Sequence, residues 1–124
     1  MRNLESIFYL SARRHFKYLV VFFVLTAFHA HAQRKIDSLQ AVIQSNLPDS
    51  SRAKTLVELA GEYEYVDVTK SRAFSEEAIS LAENTNLPHL KSIAYNSMGS
   101  VYRVSGGYSS ALRLDNMALE SSLL

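Results

Sequence analysis

From Ile36 onward, apolar side chains return every third or fourth residue, and each run of them stops at Pro, Gly or a short polar or β-branched stretch. A period near 3.6 residues places such side chains on one stripe of a helix, whereas a strand would need alternation. Ile36, Leu39, Val42 and Ile43 predict a short helix over 35–46. Asn46-Leu47-Pro48-Asp49-Ser50-Ser51 breaks it, since Pro48 restrains its predecessor and Asp49 or either Ser can cap the helix that follows. A helix over 51–65 would bury Ala53, Leu56, Val57, Ala60 and Tyr63, keeping Arg52, Lys54, Glu58 and Glu62 off that face. Val66-Asp67-Val68-Thr69 is a connection, with Thr69 as the expected cap of a helix over 70–85. The inner stripe of that helix is Phe74, Ala78, Leu81 and Ala82, with Lys70, Glu76, Glu77 and Glu83 facing water.

Asn86-Leu87-Pro88 stops this run, and a helix over 89–105 follows with Leu90, Ile93, Ala94, Met98, Val101 and Tyr102 inside. Gly106-Gly107 then supplies the left-handed residue that closes a helix and lets the chain reverse. The last helix, Tyr108 to about Glu120, would bury Ala111, Leu112, Ala118 and Leu119. No segment alternates with period two over any length, so the expected fold class is all-α, without a sheet.

The first 32 residues are of another kind. Arg13-Arg14-His15-Phe16-Lys17 precedes the apolar run Tyr18 to Phe28, which is followed by Ala30-His31-Ala32. Cations, an apolar helix and small residues at −3 and −1 are the order of a secretory signal, with cleavage expected after Ala32. The protein is then exported, with a periplasmic location. The alternative is an inner-membrane anchor retained over 18–30, although that run is shorter than the roughly 20 apolar residues of a spanning helix. Arg13-Arg14 resembles a twin-arginine signal, yet Ala12 stands where Ser or Thr is usual, which favours general secretion. His29 and His31 form a His-x-His pair that falls within the leader and is read as part of it.

Splitting the charge at residue 32 changes its sign. The leader holds 4 basic residues against 1 acidic, and the remainder holds 9 basic against 11 acidic. The folded part therefore has no basic field to attract nucleic acid, and the only membrane contact expected is through an uncleaved leader. With 0 Cys, disulfides, thiolate zinc sites, a Cys nucleophile and a lipoprotein anchor are excluded. The expected organisation is a signal peptide over 1–32, a short leading helix and loop over 33–51, and two helix hairpins over about 52–88 and 89–124.

The hairpins repeat each other. Leu59-Ala60-x-x-Tyr63 matches Met98-Gly99-x-x-Tyr102 at an offset of 39, and Phe74-x-x-x-Ala78-Ile79 matches Leu114-x-x-x-Ala118-Leu119 at 40. A small residue lets a neighbouring helix approach, and the aromatic three positions later fills the gap beside it. Over 52–121 these residues resemble the tetratricopeptide repeat. In the second repeat the family pattern falls on Tyr95, Met98, Gly99, Tyr102, Gly106, Tyr108, Ala111 and Ala118. Ala60, Tyr63 and Ala78 fit it in the first, where Ser71 holds the small-residue position opening the second helix. Asp115 stands where the pattern has a large apolar residue, and the period exceeds the usual value of about 34.

The resemblance implies antiparallel helix pairs stacked into a right-handed superhelix, an α-solenoid fragment here, whose concave face is lined by the first helix of each pair. Carried onto this sequence, that makes Thr55, Glu62, Tyr95, Asn96 and Arg103 the candidate contacts for a peptide or protein partner. Together with the leader, the short helix around Ile36-Asp37-Ser38-Leu39 and Ser80-Leu81-Ala82-Glu83, it resembles the exported N-terminal region of Bacteroidetes-type repeat-containing sensor histidine kinases or transcriptional regulators. The implied function is a protein-binding module in signal transduction. The alternative is a truncated piece of a longer sensor kinase or regulator, without independent activity, because repeat arrays usually need about three repeats to bury their core.

No catalytic set accompanies this pattern, so the chain is not expected to be an enzyme or to carry a cofactor or metal. His89 follows Pro88 at a helix start and reads as a solvated turn residue. Glu76 and Glu77 are adjacent and point about 100° apart, so they cannot act as paired carboxylates and read as a solvated face. None of the Ser residues lies in a Gly-x-Ser-x-Gly elbow, and Gly106-Gly107 lacks the Lys and Ser/Thr of a phosphate loop. Of the tyrosines, Tyr63 and Tyr102 belong to the core by spacing, while Tyr65 and Tyr95 are left for a groove.

Overall fold

The computed structural model describes residues 16–24 and 33–124. The chain forms two compact units, 1–35 and 36–124. In the first, residues 16–24 are helical and every one is exposed, including Phe16, Tyr18, Leu19, Phe22 and Phe23. A helix that is apolar all round has no face to distinguish a core side from a water side. The Arg13-Arg14 pair, the His29-x-His31 pair and the expected cleavage position after Ala32 lie outside the described residues. Among the described residues, no helix is long and apolar enough to cross a membrane.

The second unit contains α1 (residues 33–44, those from Ile36 on belonging to it), α2 (Asp49–Tyr63), α3 (Val68–Glu83), α4 (Pro88–Val104) and α5 (Tyr108–Ser122). The described residues hold no strand, as the period predicts, and each helix begins and ends within two residues of its expected bounds. The caps differ from expectation. Pro48 precedes α2 and Asp49 lies in its first turn, with no side-chain cap bond. Asp67, not Thr69, caps α3: its backbone is extended, so its Oδ1 can turn back and accept from the Lys70 amide at 3.1 Å. Gly106 adopts φ +80° and Gly107 precedes α5, the reversal predicted for the Gly pair.

Neighbouring helices run antiparallel. The start of α3 lies against the end of α2, where the Ser71 hydroxyl donates to the Ala60 carbonyl at 2.7 Å and the Tyr63 and Phe74 rings sit 5.7 Å apart. The end of α4 meets the first half of α5, α3 packs on α4, and α2 also touches α4. Small residues set this spacing. Ala53 and Leu56 of α2, Ala78 and Ala82 of α3, and Leu90 and Ala94 of α4 form one buried cluster, in which the alanines let the leucines reach across. Ile36 of α1 packs with Leu59 and Tyr63, and Met98, Val101 and Leu114 close the other end. Ser71, Ser75 and Ser92 are buried with these side chains, and the two deepest hydroxyls bond across helices: Ser71 as above and Ser75 with Ser97 at 2.8 Å.

On α5 the inner stripe is Ala111, Leu114 and Ala118, and the expected core residues Leu112 and Leu119 are exposed instead. The reason is rotational: Leu112 and Leu119 each lie about 100° past an inward alanine, so the helix cannot bury both sets against α4 alone. Val42 of α1 is turned out likewise, leaving Ile36, Leu39 and Ile43 to pack inward. Asp115 is accommodated because its carboxylate approaches the bare Cα of Gly99 and pairs with Arg103 at 2.8 Å.

Two glycine substitutions separate backbone conformation from packing. A Cβ at Gly61, in α2, meets nothing within 4 Å, so Gly61→Ala is expected to raise stability by about 0.5–1 kcal/mol. Gly106→Ala also meets open space but must hold φ +80°, and is expected to lower it by about 1 kcal/mol. Urea denaturation followed by circular dichroism reads both signs.

Candidate functional site

The helical period that buries one stripe of α2 and α4 brings a second stripe of each to a shared cleft. Val57, Ala60 and Gly61 of α2 and Glu64, its C-cap, stand at i, i+3, i+4 and i+7, and Ile93, Asn96, Ser97 and Ser100 repeat that spacing on α4. Ser71 at the start of α3 and Arg103 near the end of α4 complete a cleft of about 310 Å³. Its floor is apolar or small (Val57, Ala60, Gly61, Ile93) and its polar groups come mainly from α4.

The polar groups are held from several sides. The Ser100 hydroxyl donates to Glu64 Oε1 at 2.5 Å, tying α4 to the last turn of α2 and its cap. Arg103 Nη1 donates to both Asp115 oxygens, at 3.0 and 2.8 Å, so α5 fixes the direction of the guanidinium. Both partners are well exposed, and such a pair is worth at most about 1 kcal/mol. Asn96 is exposed at the mouth, with an amide that can both donate to and accept from a peptide backbone. Glu64 and Arg103 occupy the same place in the two repeats, 39 residues apart, so the cleft has a carboxylate on one helix and a guanidinium at the matching turn of the other.

Of the five residues expected to line a groove, Asn96 and Arg103 reach this cleft. Thr55, Glu62 and Tyr95 do not. At about 100° per residue, Thr55 and Glu62 fall on the opposite side of α2 from the Val57–Glu64 stripe, and Tyr95 is opposite Ile93 and Ser97. Thr55 is half-buried and donates its hydroxyl to the Ser51 carbonyl of its own helix. Tyr95 packs beside Met98 and Val101 and donates its hydroxyl to Glu83 at 3.0 Å, across to the end of α3. Tyr65 is exposed just past α2 and is not in the cleft. Val57 and Ile93, expected in the core, pack against it and also line the cleft, while Gly61, Glu64, Ser97 and Ser100 are not among the expected groove residues, although a second stripe of small and polar residues at helical spacing marks them.

The structural repeat positions are largely internal. Ala60, Tyr63, Ala78, Met98, Gly99, Ala111 and Ala118 are buried, and Tyr102 is half-buried beneath the Arg72 guanidinium, 4.7 Å from its ring centroid. Tyr108 is exposed. Among the described residues, no group of three or more His, Asp or Glu side chains is placed to hold a metal ion. His89 is exposed at the start of α4, and Glu77 pairs with Arg52 at 3.2 Å. No family model, no curated protein and no solved structure matches the chain.

Burial, then the hydrogen bond and charge of Glu83, raise the ionisation of Tyr95 above the usual tyrosine value of 10.0. The fold therefore favours the neutral phenol, and the stability linked to it is present below the ordinary tyrosine range and declines as pH rises through the raised value. Glu83→Gln removes the negative charge. Tyr95 is then expected to titrate at lower pH, read as earlier growth of the tyrosinate ultraviolet band relative to the parent chain, with Tyr95→Phe identifying the transition.

Proposed function

We propose that the chain is an exported protein-binding module of the tetratricopeptide kind: two stacked antiparallel helix hairpins whose α2–α4 cleft takes an extended peptide segment of a protein partner. The observation that carries this reading is the cleft itself. Its two walls are the first helices of the two repeats, its floor is apolar enough to take side chains, and Asn96, Ser97 and the Glu64–Ser100 pair offer groups for a peptide backbone. The donors and acceptors along the cleft (Asn96, Ser97, Ser100, Glu64 and Arg103) suit the binding of a peptide backbone. A small-residue pattern at Ala60 and Gly99 and the order of charge, apolar run and Ala-x-Ala in the leader support the family and the compartment respectively. The module then serves as the extracytoplasmic sensing part of a signalling protein.

Peptide display against the full chain tests the binding role. Selected peptides are expected to bind at least tenfold more weakly to Asn96→Arg, which crowds the cleft from its exposed mouth, while Glu58→Arg on the outer side of α2 leaves affinity unchanged. Equal binding to all three chains, or no enrichment, rejects the cleft as the site. Export has its own test. Residues 1–32 fused to an alkaline phosphatase lacking its signal are expected to give activity outside the cytoplasm, retained in an Arg13→Lys, Arg14→Lys variant.

A further inference from the structure

The open flank of α5 carries large apolar side chains, among them Leu112 and Leu119, which the helical spacing predicts in the core. Tyr108, Leu112, Leu119 and Leu123 are 71%, 63%, 59% and 78% exposed, and at about 100° per residue they fall on one stripe along the whole helix. The fold already uses this flank elsewhere. An offset of 40 carries Leu112, Asp115, Leu119 and Leu123 onto Arg72, Ser75, Ile79 and Glu83 of α3. Arg72 lies over the Tyr102 ring, Ser75 bonds Ser97, Ile79 packs with Met98 and Val101, and Glu83 accepts from Tyr95, so all four cover α4. The same flank of α5 is thus a helix-packing surface, and where α3 has Arg72 and Glu83 it has leucines.

The stripe is symmetric about a point between Asp115 and Asn116. Tyr108 and Leu123 are equally far from it, as are Leu112 and Leu119. A second α5 laid antiparallel would put Leu112 against Leu119, Tyr108 against Leu123, and the Asn116 amide against the Asp115 carboxylate, each contact made twice. Arg113 and Glu120 border the stripe on one side, both exposed and neither in a side-chain hydrogen bond or ion pair among the described residues. Across the two-fold each would meet the opposite charge. We infer that the occupant of this flank is a second copy of the chain, joined α5 to α5 in an isologous dimer. The surface meets the α2–α4 cleft only through the Asp115–Arg103 pair, and Leu119, Arg113, Asn116 and Glu120 do not line that cleft, so variants at these four positions test it apart from the peptide-binding role.

Having 0 Cys, the chain allows a direct test. In the full chain, Asn116→Cys places a thiol beside the two-fold, and mild oxidation is expected to give a disulfide-linked dimer at least tenfold faster than Glu58→Cys, exposed on α2. Sedimentation equilibrium is expected to show a monomer–dimer equilibrium that Leu119→Glu weakens at least tenfold with helicity unchanged. Arg113→Glu should weaken it as well, and Arg113→Glu with Glu120→Arg should restore it. A monomeric parent chain, equal cross-linking at both thiols, a dimer indifferent to Leu119→Glu, or failure of the charge exchange to restore association overturns the proposal. Leu119-dependent capture of a synthetic peptide of residues 88–104 by a monomeric chain would assign the flank to a partner helix instead.

Discussion

Helix backbones come close in this protein because the residues between them are small. Ala53, Ala60, Ala78, Ala82, Ala94, Ala111 and Ala118 are buried with little side chain of their own, and Leu56, Leu59 and Leu90 fill the space they leave. A larger residue at any of these crossings would separate two helices and strip contacts from the leucines on either side, which is why overpacking costs about 1–3 kcal/mol even when the new side chain is apolar. Ser71 and Ser75 share the role of the alanines and add direction. Each is buried with its hydroxyl bonded to one partner on a neighbouring helix, so a slip along the axis would orphan a polar group as well as mismatch the packing.

Much of this is legible in the residues. Period, Pro and Gly give the helices and their bounds, and the recurrence of small-x-x-Tyr at 39 residues marks the crossings at Ala60 and Gly99. What escapes is anything that depends on rotation about a helix axis. Leu112 and Leu119 look as fit for the interior as Leu114, and only the line of approach of α4 decides which of them is covered. Tyr95 and Asn96 are neighbours in sequence, but one faces the end of α3 and the other the cleft. Asp115 is the clearest case: chemically odd for a packing position, it is tolerated because Gly99 leaves room and Arg103 supplies charge.

The cleft follows from the same geometry. α2 and α4 touch each other while each also carries its own neighbour, α3 or α5, so their remaining faces diverge and leave an open channel. Its walls cannot be as apolar as the core, being wet, nor as charged as a free surface, being narrow. Small and hydroxyl-bearing side chains satisfy both demands. The Ser100–Glu64 bond is then structural and chemical at once, bracing two helices and setting the polarity of the channel at one end.

The attachment of α5 is one-sided. Among α2 to α5 it is the helix whose packing is almost wholly with a single neighbour, and the turn that delivers it is made by Gly106 and Gly107. Cooperative opening of a protein proceeds through its least-tethered segment, whose detachment leaves the remaining contacts intact. Peeling α5 away would uncover Met98 and Val101 and release Arg103 from Asp115, so a local opening of this one helix would change the charge at that end of the channel.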